Sequence, residues 1–262
     1  MKSKSISVIK IGGRAASDQK TLISLITEMK SLDSEHHFIL VHGGGAEVSR
    51  IGSIFGHTPR FVHGIRMTSP EEMDIVDMVL SGKMNKYLVR LANRVTRAVG
   101  ISGSDGFLFT GESIESGTGS VNHTGKITKV STELVELLIE NDFIPVISST
   151  SMDNQGRALN INADEAALHI AAAVKADNLI FLSDIPGILH DDRVLSCLNG
   201  KEAEAAIQKE IISGGMIPKV RSSLTALREG VGHVIIGRYS GSGDLTQLIQ
   251  GNRGTYLYKE HS

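Results

Sequence analysis

Ile6-Ser7-Val8-Ile9-Lys10-Ile11-Gly12-Gly13 decides how the rest of the chain is read. Its apolar residues are mostly β-branched and fall on both faces of an extended segment. That is the pattern of a strand buried on both sides in a largely parallel sheet. Runs of the same kind recur at 38–41, 98–101, 144–147, 179–182 and 234–236. Amphipathic helical stretches separate them, near 19–31, 46–55, 70–95, 132–141, 164–176, 202–212 and 218–229. Strand followed by helix, repeated, predicts an α/β fold, a three-layer sandwich around a central, mainly parallel sheet. The stretches 107–110 and 125–130, joined by a Gly/Ser-rich segment, predict a hairpin or lid over one end of that sheet.

Bulk composition narrows the function classes. A chain of 262 residues, 40% of them hydrophobic, can bury a full core as one large domain or two lobes. Net charge is −2, so no global field favours nucleic acid or an anionic membrane. An anionic substrate must be captured by local lysines, arginines and backbone N–H groups. A single cysteine, Cys197, excludes an intrachain disulfide and a Cys-rich zinc site. No apolar segment reaches the roughly 18 residues of a membrane span, and no signal peptide is visible. A cytoplasmic location is expected.

Several residues sit where polyanion chemistry would need them. Lys10 ends an apolar strand beside Gly12-Gly13; an unpaired buried charge is costly, so it must reach solvent or meet an anion. The bland alternative is a snorkelling lysine at a strand end. Gly43-Gly44-Gly45 lies between a strand and a helix, where successive N–H groups and the helix dipole make an anion nest; the alternative is a tight turn. This is not a Walker A loop, because Gly82-Lys83 is followed by Met84 and lacks a glycine five positions earlier. Asn160, Asn162 and Asp164 precede a helix, and Asp164 reads most simply as its N-cap. Lys219 follows Gly214-Gly215 and Pro218 in a first helical turn, where a cation opposes the helix dipole and hints at an anionic partner. Asp184-Ile185-Pro186-Gly187 is turn-like by composition. Arg66 is either a carboxylate clamp or an ordinary surface arginine.

Taken in order, these segments resemble the amino-acid kinase family, and within it the acetylglutamate kinase branch. Carrying the resemblance are Lys10, His42 to Gly45, Gly64 to Arg66, Ser102 to Gly106, Asn160 to Asp164, Ser183 to Gly187 and Gly214 to Val220. It implies a carbamate kinase-like fold forming a single domain over 1–262, with an acceptor lobe at 1–175 and a nucleotide lobe at 176–262. It also implies transfer of the ATP γ-phosphoryl group to the side-chain carboxylate of N-acetyl-L-glutamate, the second step of arginine biosynthesis. By the same resemblance, Lys10 and Lys219 flank the transferring group and Asp164 orients them through ion pairs. Gly44 and Gly45 hold oxygens of the reacting groups, while Arg66 and Asn160 grip the acceptor. Gly12 and Gly13 approach the phosphates. Asp184, Ile185, Pro186, Gly187, Ile188 and Leu189, with Ile211, Ile212 and Ser213, line the nucleotide pocket. Mg²⁺ is expected to ride on the phosphates with no metal-binding residue of the protein's own.

Departures from the branch are Arg14, Ala46, His63 and Phe107, which bear on efficiency more than on reaction class. Two alternatives stay open: a kinase for a related acceptor, N-succinylglutamate or a carrier-linked aminoadipate, and a non-catalytic amino-acid sensor of the same fold. A homodimer is expected through the 70–95 helical stretch. Because only 1–5 precedes the first strand, arginine inhibition through a hexameric ring is not expected.

Overall fold

The computed structural model describes residues 4–12, 18–62, 65–114 and 122–259. It has the α/β sandwich architecture with a mainly parallel central sheet that the alternating runs predict. Two compact units divide it: Met1–Leu40 together with Ala167–Ser262, and Val41–Ala166. A single division near residue 176 does not coincide with these units. The first strand pairs with Asn178–Leu182, more than a hundred residues downstream, so the beginning of the chain packs with its last third.

In the first unit, strands follow the order Cys197–Asn199, Thr255–Tyr258, His233–Gly237, Asn178–Leu182, Ser5–Ile11 and His36–His42. Ser5–Ile11 runs parallel to Asn178–Leu182, which runs parallel to His233–Gly237; the Thr255–Tyr258 partnership with His233–Gly237 is antiparallel. Val8, Ile9 and Ile11 are fully buried, as are Leu179, Ile180 and Phe181 beside them. Apolar side chains on both faces are what a sheet covered on both sides requires. Helix Gln19–Ser31 begins at Asp18, whose carboxylate accepts the Thr21 N–H, and it buries Leu22, Leu25, Ile26 and Met29.

The second unit pairs Ala98–Ser102 with Ile144–Ser148 in parallel and adds a closed four-stranded barrel. Phe109–Ser113 and Thr124–Val130 are antiparallel, as the predicted hairpin requires. Rather than lying as a lid, they close a barrel with Thr150–Asp153 and Ala158–Ile161. The stretch predicted as one helix over 70–95 is α-helical at Pro70–Asp77 and Asn85–Ala92, with a π-helical segment Met78–Met84 between. Ser69 caps its start, accepting from Glu72 N–H with Pro70 in the first turn.

Candidate active site

Phe181 relates the two lysines in the first unit, one by strand register and the other by a ring contact. Lys10 is the register partner of Phe181 in the neighbouring parallel strand, so the two side chains stand on the same face of the sheet. Lys219, in helix Met216–Arg228, holds its Nζ 4.9 Å from the centre of that ring. A cation over a buried aromatic face is attracted to it electrostatically. Gly12 shapes the other side: a Cβ built there would lie 2.6 Å from Lys10 Nζ. Its missing side chain is the space the ammonium occupies. The start of the Lys219 helix offers few backbone donors. Met216 and Ile217 N–H groups bond back to Ser213 and Gly214 carbonyls, and Pro218 has none. Anion attraction there falls to the lysine side chain.

The other predicted residues of this unit divide by burial. Asp184, Leu189 and Ser213 are exposed, and Ile185, Pro186 and Ile211 are half-buried. Ile188 and Ile212 are in the core, so their side chains pack rather than line a surface. The Asp184 loop is tied down at both ends. Arg238 donates Nε and Nη2 to the Asp184 carbonyl, and Ile188 N–H bonds to Thr255 Oγ1 at 2.8 Å. Gly187 has no room for a side chain, since a Cβ would meet Val194 Cγ1 at 2.6 Å. Gly13, with Arg14, His63 and Gly64, lies outside the described residues.

In the second unit the glycine turn follows strand His36–His42 and opens helix Gly45–Ile54. Gly43 and Gly44 are packed close: a Cβ on Gly43 would sit 3.1 Å from Ala163 Cβ, and one on Gly44 2.8 Å from Leu80 Cδ2. Gly45 meets nothing within 4 Å and faces open space. Gly44 is the N-cap and supplies no side-chain acceptor, so the first-turn N–H groups have no cap of the usual kind. Glu47 in that first turn is held down to a pKa of about 2 by hydrogen bonds from Arg50 and Lys83. Lys83 is therefore a partner of Glu47, not a phosphate ligand of a Walker loop.

Arg66 is more constrained than a surface arginine. Its Nη1 lies 2.7 Å from Glu72 Oε1, and Nη2 donates to the Gly45 carbonyl and to Ser49 Oγ. Both side chains of the Arg66–Glu72 pair are only 9% exposed. The guanidinium fastens the hairpin of Arg60–Val62 and Ile65–Met67 to the start of the glycine-turn helix. Asn160, in the barrel strand Ala158–Ile161, donates Nδ2 to Thr68 Oγ1 at 2.9 Å. Thr68, Asn122 and Thr124 form a buried polar group around it, with Thr124 Oγ1 donating to the Arg66 carbonyl. Arg66 and Asn160 are thus linked through Thr68 and Thr124. Asp164 is not the cap of helix Ala163–Ala173. Asn162 Oδ1 accepts the Asp164 N–H at 2.8 Å and takes that role.

The model of the amino acid kinase family matches residues 5–238. The chain belongs to that family. An acetylglutamate kinase of Prochlorococcus marinus (strain MIT 9515) is 41% identical over 258 residues, covering 95% of this chain and 90% of that protein. One from Aquifex aeolicus (strain VF5) is 40% identical over 272 residues, covering 97% and 91%. Among solved structures, a carbamate kinase from Giardia lamblia bound to AMP-PNP aligns with a TM-score of 0.72 at 16% identity. That alignment covers 99% of this chain and 100% of the other, and it speaks for the fold alone.

Beyond the predicted residues, this family member carries a buried polar chain behind its glycine turn. His42 is fully buried, with Nδ1 2.9 Å from the Gly43 carbonyl and Nε2 3.1 Å from Asn85 Nδ2. Burial, with the nearby charge of Lys86, pushes the His42 pKa down to about 4, so the ring is neutral at pH 7. In the sequence His42 stands out as the start of the His42 to Gly45 segment, with nothing to mark its partner 43 residues away.

Proposed function

We propose that this amino acid kinase transfers the γ-phosphoryl group of ATP to the side-chain carboxylate of N-acetyl-L-glutamate. The products are N-acetylglutamyl 5-phosphate and ADP, in the second step of arginine biosynthesis. The observation that carries the proposal is 41% identity, over 95% of the chain, to a protein named acetylglutamate kinase. The geometry of each unit supports it. Phosphoryl transfer needs alignment and charge neutralisation more than covalent chemistry. The acceptor carboxylate is already ionised at pH 7, so no general base is required.

On the first unit, Lys10 and Lys219 are assigned to the transferring phosphoryl oxygens, and the loop from Asp184 to Leu189 with Ile211 to Ser213 to the nucleotide. The chemistry Mg²⁺ would supply, carried on the phosphates, is neutralisation of the β- and γ-oxygens. On the second unit, Gly44 and Gly45 N–H groups are assigned to developing oxygen charge. Arg66 and Asn160 are assigned to the acceptor, and Asp164 to orienting charge. Because Arg66 already holds Glu72, an acceptor carboxylate would share a guanidinium that is fixed in advance. A homodimer and a cytoplasmic location belong to the same proposal; among the described residues no helix is long and apolar enough to cross a membrane.

Trapping the acyl phosphate with hydroxylamine tests the proposal. Hydroxamate should form only with ATP, Mg²⁺ and N-acetylglutamate together. Faster turnover of N-succinylglutamate, carbamate, UMP or free aspartate would overturn the acceptor assignment.

A further inference from the structure

We propose that Asn85 is a positioning residue that aims the Gly44 N–H, acting through the tautomer of His42. The inference rests on the reading that the glycine turn serves phosphoryl transfer.

The direction of every hydrogen bond in the chain follows from donor chemistry. Lys86 Nζ lies 3.0 Å from Asn85 Oδ1 and 2.8 Å from the Gly100 carbonyl. An ammonium only donates, so the side facing it is the Asn85 carbonyl oxygen. The amide nitrogen then faces the other way, toward Val146 O at 2.8 Å, Ile101 O at 3.3 Å and His42 Nε2 at 3.1 Å. Two backbone carbonyls demand a donor there as well, which fixes the carboxamide a second time. His42 Nε2 must accept and the neutral ring carries its proton on Nδ1, which donates to the Gly43 carbonyl.

The last step is geometric. In a trans peptide the carbonyl of one residue and the N–H of the next point in opposite directions, and there are no cis peptides among the described residues. Holding the Gly43 carbonyl toward His42 therefore turns the Gly44 N–H away from the buried ring. Room for this chain has been made in the sheet. A Cβ at Gly100 would lie 2.0 Å from Asn85 Oδ1 and 2.9 Å from Lys86 Nζ, so only glycine fits. The π-helical segment Met78–Met84 ends at Asn85 and also supplies Leu80 and Met84 against Gly44. A widened helical turn thus delivers both the packing and the polar contact to one short loop.

The test uses Asn85→Asp in the full chain. The carboxylate is nearly isosteric and keeps Lys86, but it presents an acceptor to His42 Nε2. With a carboxylate oxygen facing Nε2, the proton of the neutral ring should move there, which leaves the Nδ1 lone pair against the Gly43 carbonyl and breaks that contact. Imidazole ¹⁵N NMR should show the Nδ1–H tautomer for His42 in the wild type and its loss in the variant. The kcat should fall about 10- to 100-fold, within reach of losing one oriented donor, while KM for ATP stays near its wild-type value. A wild-type His42 protonated on Nε2 overturns the proposal even if the variant fails to fold. So does an altered tautomer with unchanged kcat. A wild type that shows the Nδ1–H tautomer but makes no hydroxamate from N-acetylglutamate would instead sink the functional reading.

Discussion

Replacing Gly12 by alanine would move one charged group and little else. The added Cβ has two neighbours within 4 Å among the described residues, Lys10 Nζ at 2.6 Å and Lys10 Cε at 3.5 Å. Gly12 is not in the left-handed region, so alanine adopts its backbone without strain. Ordinary contact is about 3.5 Å or more, so the ammonium must retreat by about 1 Å from its place beside Gly12. No apolar contact is lost and no cavity is made, so the melting temperature should stay close to wild type. Misplacing a reacting or stabilising group by about 1 Å can cost on the order of 10²-fold. The expected result is a kcat reduced about 30- to 100-fold in the hydroxylamine assay, with a near-normal melting curve. Wild-type kcat in a folded Gly12→Ala enzyme would refute the placement of Lys10 at the transferring group. A large loss of stability would show that Gly12 serves packing instead.

Other perturbations reach different parts of the molecule. Lys219→Ala should lower kcat by about 10²–10³ with a smaller effect on nucleotide affinity; a change confined to KM for ATP would make Lys219 a binding residue only. His42 should make the fold acid-sensitive. Its folded pKa of about 4 lies below the unfolded value of about 6.5. Unfolded chains therefore take up the proton first as pH falls, and about 3 kcal/mol of stability should be lost between about pH 6.5 and 4. Denaturant titrations of wild type and His42→Gln across that range would show it, and equal pH slopes would exclude it. Glu28 is 6% exposed and accepts from Tyr239 OH, Gly243 N–H, Thr246 N–H and Thr246 Oγ1. Glu28→Gln puts a donor where only donors converge and should cost about 1–3 kcal/mol by thermal or urea unfolding. A neutral result would mean the loop around Gly243 re-forms its bonds elsewhere.

What could be read in the sequence follows from the range of the forces involved. Strands such as Ser5–Ile11 and Asn178–Leu182 announce themselves because burial on both faces puts apolar residues such as Val8 and Ile9, and Leu179 to Leu182, at consecutive positions. The π segment within 70–92 stayed hidden because one extra residue in a turn leaves the apolar spacing almost intact. Thr150–Asp153 and Ala158–Ile161 were missed for the opposite reason. They are four residues long, and buried hydroxyls such as Thr150 and Ser151 replace the apolar residues expected of a strand. Glycines 12, 43 and 44 were legible as close-approach positions, and the structure gives each a neighbour that a side chain would strike. The cap at Asn162 and the Arg66–Glu72 pair were not. Each depends on which of several nearby polar groups the backbone turns inward.

The interleaving of the two units sets a timetable for synthesis. Ser5–Ile11 leaves the ribosome before Val41–Ala166, yet its parallel partner Asn178–Leu182 is made only after the whole of that unit. At roughly 5–20 residues per second, those ~126 residues take about 6–25 s to appear. For that interval a β-branched edge carrying Val8, Ile9 and Ile11, with Lys10 as its one charge, waits without that partner, while the inserted unit can close its barrel. The nascent chain is therefore most open to chaperones, and to mispairing with another copy, at its beginning. A slowly translated message should lower the yield of folded protein through that first strand before it affects anything nearer the middle.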